Sequence, residues 1–218
     1  MQMARKRVAV LISGRGSNMA ALVEAAKNSS YPAEIVLVVS NRPQAEGIAY
    51  ARSAGIATTI IDHTDYGKNR EAFERALQAV LEGSGIEIVC LAGFMRLLTP
   101  WFIDRWQGRM LNIHPALLPK FKGLHTHEQA LSAGAKKHGA TVHFVTADMD
   151  AGPIVCQASV PVQKDDTPET LAARVLAVEH KIYPLALKWL AEGSLRINEG
   201  TCRLHGAHVP DGVTVPTA

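Results

Sequence analysis

Short apolar runs alternate with helix-spaced stretches through the first half of the chain. Residues 7–12 form a brief apolar run that stops at Gly14 and Gly16, the pattern of a buried parallel strand entering a turn. Residues 19–27 read as a helix with Ser17 or Asn18 at its N-cap. Strands are expected at 35–39 and 58–61. Between them 45–54 is helical, and Gly55 closes it. An amphipathic helix follows over 69–81, ended by Gly83 and Gly85, and the near-continuous apolar run 86–92 marks the sheet centre. This β-α-β-α-β-α-β order predicts an α/β fold with a parallel sheet and helices on both faces.

The second half changes character. A short strand is expected at 110–113 and a helix at 125–133. Residues 139–145 and 153–160 alternate in polarity, which predicts antiparallel neighbours across Asp148-Met149-Asp150-Ala151-Gly152. Residues 167–190 form a long helix with Thr167 placed to cap it and Pro168 in its first turn. A small hairpin is expected from 195–197 and 201–204, and the Pro/Gly/Thr-rich tail after Val209 reads as loose. With neither an internal repeat nor a linker, 1–218 is expected to be one domain. Its halves are 1–92 and 93–193, and 205–218 is a loose tail.

Composition narrows the function. A chain of 218 residues with 47% hydrophobic content can bury a full core. Basic and acidic residues number 23 and 20, for a net charge of +3, too even to expect a nucleic-acid partner. The basic lead 1–7 precedes an apolar run too short for a signal-peptide core, and no stretch approaches membrane-spanning length. Cys90, Cys156 and Cys202 are far apart and odd in number, which points to reduced thiols and a cytoplasmic protein.

The densest chemistry lies at Leu111-Asn112-Ile113-His114-Pro115. On a strand, Asn112 and His114 share a face, and Pro115 ends the strand there. An amide and an imidazole at one strand end are the donors needed by an oxygen gaining negative charge. A carboxylate such as Asp150 would favour the charged imidazole. Together they describe acyl transfer without a Ser or Cys nucleophile. The bland alternatives are a core histidine for His114 and a solvated turn for Asp148 and Asp150.

Ser13-Gly14-Arg15-Gly16-Ser17-Asn18 suits an anion at a helix N-terminus, or simply a tight turn. It lacks the third glycine of the dinucleotide fingerprint, where Met19 stands, and Ser40-Asn41 occupies the place of the ribose-binding acid. Met95, Arg96, Leu97 and Leu98 follow the central strand and suit a flat ring with an acidic tail, or an ordinary strand-to-helix junction. Glu179 reads first as part of a solvated helix face. No metal is expected, because His125 and His127, two apart, do not share a helix face.

These residues together resemble glycinamide ribonucleotide formyltransferase, the folate-dependent enzyme of purine synthesis, from about Val8 to about Gly193. The matching stretches begin at Leu11, Leu91, Leu111, Gly123 and Asp150, with Glu179-His180 in the long helix. The resemblance implies a Rossmann-like formyltransferase fold with a phosphate-binding first half and a folate-binding, catalytic second half. It implies that Gly16, Ser17, Asn18, Arg70 and Glu179 bind the ribonucleotide. Met95 to Leu98, Asn112, and Thr146, Ala147, Asp148, Met149 and Asp150 would hold 10-formyltetrahydrofolate, a co-substrate. Asn112, His114 and Asp150 would be catalytic. The substrate amine attacks the formyl carbon, Asn112 and His114 hold the oxyanion, and Asp150 tunes His114 and aids proton transfer. Small-molecule substrates, no nucleic acid, no membrane, and a monomer or homodimer complete the expectation.

Two relatives are weighed against it. Methionyl-tRNA formyltransferase carries an additional C-terminal domain for which this sequence leaves no room. Formyltetrahydrofolate deformylase has an added N-terminal regulatory domain, and here the first strand begins by Arg7. A folate-binding protein without activity is disfavoured by the intact Asn112, His114 and Asp150. Departures from the family pattern are Lys122 in place of a proline, Ala116 in place of a serine, and a slightly longer lead.

Overall fold

Strand β1 (Lys6–Ile12) loses all solvent exposure from Val8 onward, as a strand with neighbours on both sides must. The computed structural model describes residues 4–216, and the chain divides into two compact units after Leu111.

In the first unit, β1 is followed by α1 (Ser17–Ala26), β2 (Ala33–Ser40), α2 (Gly47–Ser53), β3 (Ala57–Ile60), α3 (Arg70–Gly83), β4 (Ile88–Leu91) and α4 (Pro100–Arg105). The strands lie in the order β4-β1-β2-β3, all parallel. The alternation of strand and helix required this, since parallel neighbours need a crossover.

Two local readings change. Neither Ser17 nor Asn18 caps α1. Both lie inside its first turn, and the cap is Gly16 in the left-handed region at φ 73°, with no side-chain cap hydrogen bond. Gly83 and Gly85 end α3 as expected, Gly83 as its last residue and Gly85 in the left-handed turn just beyond, at φ 61°. Helix α4 was not expected, although Thr99-Pro100 carries the start signal of a cap followed by proline. Its start is held by Glu74, a buried carboxylate on α3 that accepts from the Thr99 N–H at 2.7 Å and from the Thr99 hydroxyl.

Strand β5 (Met110–His114) carries the chain into the second unit. There follow α5 (Thr126–Ser132), β6 (Lys137–Phe144), β7 (Ile154–Pro161), α6 (Pro168–Ala191), β8 (Leu195–Asn198), β9 (Thr201–Leu204) and β10 (Val213–Thr214). Strands β6 and β7 pair antiparallel, as their alternation predicted, and β8 and β9 form the small hairpin. Helix α6 starts on a capping box between Thr167 and Thr170 and packs on β6 and β7.

The tail differs from the loose segment expected. Val213 and Thr214 pair antiparallel with Ala158 and Gln157 of β7. An edge strand with unpaired backbone groups accepts even a two-residue partner. Residues 217 and 218 of that tail lie outside the described residues. The fold is thus α/β, parallel in the first unit and antiparallel in the second. Among the described residues no helix is long and apolar enough to cross a membrane.

Close backbone approach decides one turn. A Cβ on Gly152 would lie 1.8 Å from the Phe144 carbonyl oxygen. Gly152→Ala is therefore expected to force the β6–β7 connection apart and to destabilise the protein by about 1–3 kcal/mol. Thermal unfolding checks this, at roughly 2–4 °C per kcal/mol for a chain of this size. An unchanged Tm would show that the turn relaxes freely.

Candidate functional site

The first unit offers a cleft of about 290 Å³ at the carboxyl end of β1, lined by Ser13 to Asn18, Arg42, Ala92, Gly93 and Met95. Open parallel sheets bind ligands at that end of their strands. The loop is built by a chain of contacts. Ser13 donates to the Asn41 side-chain oxygen at 2.5 Å and accepts from the Met95 N–H at 2.7 Å. Gly47 donates its N–H to the Gly14 carbonyl at 3.1 Å. A Cβ on Gly16 would meet the Met19 methyl at 2.9 Å and the Gly47 Cα at 3.0 Å, so glycine is needed for both conformation and space. With no side chain capping α1, its first turn suits an anionic oxygen.

The structure sorts the sequence candidates here. Gly16, Ser17 and Asn18 line the cleft, and so does Met95, which the sequence assigned to a different ligand. Arg70 does not line it. It is the exposed first residue of α3. Arg42, unremarked in the sequence, does line it and adds a cation. Met95 and Leu97 are exposed, while Arg96 and Leu98 are half-buried.

The second unit gathers Asn112, His114 and Asp150. Both β5 side chains are largely sheltered, His114 at 5% exposure. His114 Nε2 donates to the Phe121 carbonyl at 2.9 Å, because a carbonyl can only accept. The proton that charges the ring must therefore enter at Nδ1. That nitrogen lies 3.5 Å from Asp150 Oδ2, a separation of charge contact more than of a formed hydrogen bond. Asp150 Oδ2 also accepts from the Gly123 N–H at 2.9 Å, and Asp150 holds φ 50°. Phe121 and His125 share the left-handed region, at φ 57° each. Strain of this kind collects where side chains must be aimed.

His143 was not singled out in the sequence. It sits in an alternating strand, where the one signal was a polar residue at a buried register. Its Nδ1 donates to the Phe144 carbonyl at 2.9 Å, and its Nε2 lies 3.1 Å from Asn112 Nδ2 and 3.8 Å from Asp150 Oδ1. Burial lowers its pKa, outweighing the Phe144 carbonyl and Asp150, and holds it neutral. A second cleft, of about 120 Å³, is lined by Leu118, Pro119, Lys122, Asp150, Ala151, Gly152 and Ile154. Thr146 is half-buried, Ala147, Asp148 and Met149 are exposed, and the Thr146 hydroxyl donates to the Asp148 carbonyl at 3.2 Å. Glu179 is only 7% exposed, so the solvated-face reading does not hold.

Beneath Phe121 lies His138, wholly buried, with its ring perpendicular to that of His127 at 5.2 Å. Burial, then the neighbouring His127 and His114, push its pKa down to about 4. The unfolded chain takes up that proton near pH 6.5. Between these values the unfolded state binds more protons, so stability falls as pH drops from about 6.5 to about 4, by up to about 3 kcal/mol. His138→Phe should flatten this part of the pH–stability curve, measured as Tm at pH 7 and pH 5. An equal fall in the variant would place the acid lability elsewhere.

The family profile described as formyl transferase matches residues 6–187. Phosphoribosylglycinamide formyltransferase from Escherichia coli (strain K12) is 45% identical over 203 residues, covering 93% of this chain and 95% of that protein. The chain belongs to the phosphoribosylglycinamide formyltransferase family. Among solved structures, glycinamide ribonucleotide transformylase 1 from Symbiobacterium toebii superposes with a TM-score of 0.90 at 44% identity, covering 94% of this chain and 96% of that one. The trifunctional purine biosynthetic protein adenosine-3 of Bos taurus is 52% identical over 199 residues, and the chain spans 20% of its length. A formyltetrahydrofolate deformylase from Pseudomonas syringae, at 24% identity and a TM-score of 0.87, shares the fold alone.

Proposed function

We propose that the chain transfers the formyl group of 10-formyltetrahydrofolate to the amine of glycinamide ribonucleotide, yielding formylglycinamide ribonucleotide and tetrahydrofolate in purine biosynthesis. The observation that carries this reading is the approach of His114 Nδ1 to Asp150, beside an Asn112 amide held by its own partner. No serine or cysteine nucleophile is needed, because an amine attacks a formyl carbon directly, without a covalent enzyme intermediate.

The amine nitrogen bonds to the formyl carbon, and the carbonyl oxygen takes the electron pair. Asn112 Nδ2–H and His114 Nδ1–H donate to that oxyanion. With Nε2–H given to the Phe121 carbonyl, only the charged ring carries a hydrogen on Nδ1, and the Asp150 carboxylate lies 3.5 Å from that nitrogen. The ammonium proton passes to the leaving folate nitrogen, aided by Asp150 through water, and the carbon–nitrogen bond to folate breaks.

Gly16, Ser17 and Asn18 take the ribonucleotide phosphate, joined by Arg42. Arg70 and Glu179 contact the rest of that substrate. Met95 to Leu98 and Thr146 to Asp150 receive the folate, with Lys122 as a cation for its acidic tail. In this reading the chain works as one formyltransferase domain. Residues 1–92 serve the phosphate and 93–193 the folate and the chemistry. Cys90, Cys156 and Cys202, buried and not joined by disulfides, are in keeping with a cytoplasmic protein, which acts as a monomer or homodimer.

The deciding experiment follows folate absorbance with and without glycinamide ribonucleotide. Formyl loss that requires the ribonucleotide supports the transferase. Equal loss without it makes the protein a hydrolase and overturns the reading.

A further inference from the structure

We infer that His143 is a positioning residue, which turns the Asn112 amide so that its N–H donors, and not its carbonyl, meet the reacting oxygen. The inference rests on the formyl-transfer reading for the identity of that oxygen, and on geometry alone for the rest.

An asparagine at a strand end has two orientations that exchange oxygen for nitrogen, and its own shape does not choose between them. The neighbour chooses. The Phe144 carbonyl accepts from His143 Nδ1 at 2.9 Å, so that nitrogen carries the ring's hydrogen. In a neutral ring Nε2 then bears a lone pair. Nε2 faces Asn112 at 3.1 Å, and a lone pair accepts only from the amide nitrogen. The wrong orientation would set the Asn112 oxygen against the His143 lone pair. Against a buried ring, that arrangement is disfavoured by the loss of a hydrogen bond and by repulsion.

The surroundings keep the ring in this form. His143 is 2% exposed. The charged or titratable groups about it are Asp150, His114 and Lys122; burial, the largest influence, outweighs Asp150 and the Phe144 carbonyl, and His114 and Lys122 act with it in favour of the neutral ring. One Asn112 N–H is thus committed to His143 and the other is left for the oxyanion. The same imidazole edge lies 3.8 Å from Asp150 Oδ1, so one buried ring borders both the amide donor and the carboxylate. Asn112, His114 and Asp150 thereby acquire a fourth member, which acts through the Asn112 amide.

The test combines kinetics with a direct reading of the tautomer. In His143→Phe the ring volume remains and the acceptor is lost. We expect kcat to fall about 10²-fold, the scale of a misplaced catalytic group, with KM for both substrates nearly unchanged. His143→Gln restores an acceptor and should recover most of that loss. In an Asn112→Ala background, His143→Phe should cost less than about 3-fold further, because there is no amide left to orient. A structural role alone would give the full loss in both backgrounds, which would overturn the inference, as would wild-type kcat in His143→Phe.

The nitrogen-15 spectrum of histidine-labelled wild-type protein needs no substitution. A protonated Nδ1 and an unprotonated Nε2 at His143 are expected, and the opposite tautomer would overturn the inference even if the variants fail to fold. Absence of ribonucleotide-dependent turnover in the wild type would instead sink the formyl-transfer reading and leave the tautomer result standing.

Discussion

Replacing His114 with alanine should lower kcat by at least about 10²–10³-fold, the loss that follows removal of one oxyanion donor. Folate affinity should change little, because the ring serves the transition state and not the bound ground state. The structure gives a reason to expect a clean result and a reason to include a control. His114 Nε2 is held by the Phe121 carbonyl, and its Nδ1 edge is turned to Asp150. Alanine removes both edges at once and leaves the Phe121 carbonyl without its donor. His114→Gln offers an amide donor to that carbonyl but cannot carry the positive charge, so it should keep the fold and remain slow. Single-turnover rates and binding of a non-transferable folate analogue separate these effects. Wild-type turnover in either variant would remove His114 from the mechanism.

Asp150→Asn should be comparably damaging, about 10²–10⁴-fold in kcat, the range of a positioned acid–base group. This substitution isolates charge. Asparagine tolerates the φ of 50° that Asp150 adopts, and its amide oxygen can still accept from the Gly123 N–H. Local structure should therefore persist, with Tm close to that of the wild type. What disappears is the anion 3.5 Å from His114 Nδ1 and the base that moves the proton. A large loss of kcat at constant Tm is the expected pair of results. A fall in Tm matching the fall in activity would make Asp150 a structural residue.

Much of the fold was legible because its signals are local. The alternating runs of the first half led to four strands, the helices between them and a parallel sheet, while the order β4-β1-β2-β3 came only from the folded chain. The turn between 145 and 153 was legible from two alternating segments and from Asp and Gly between them. What was missed has a common cause. Gly16 caps α1 because the loop crowds the start of α2, a contact 31 residues away in sequence. Strand β10 forms because β7 has an edge to fill. Neither condition is written near the residues that respond to it.

The site divides in the same way. Residue order alone determined that Asn112 and His114 share a strand face, that a glycine turn precedes α1, and that Asp150 sits in a turn. These follow from backbone period and turn chemistry, which act over a few residues. Tertiary structure decided which atoms meet. It set His114 Nδ1 toward Asp150, placed Arg42 in the first cleft, buried Glu179, and brought His143 against Asn112 from 31 residues away. Protonation states, tautomers and donor directions depend on burial and on partners distant in sequence, and only the folded chain supplies both.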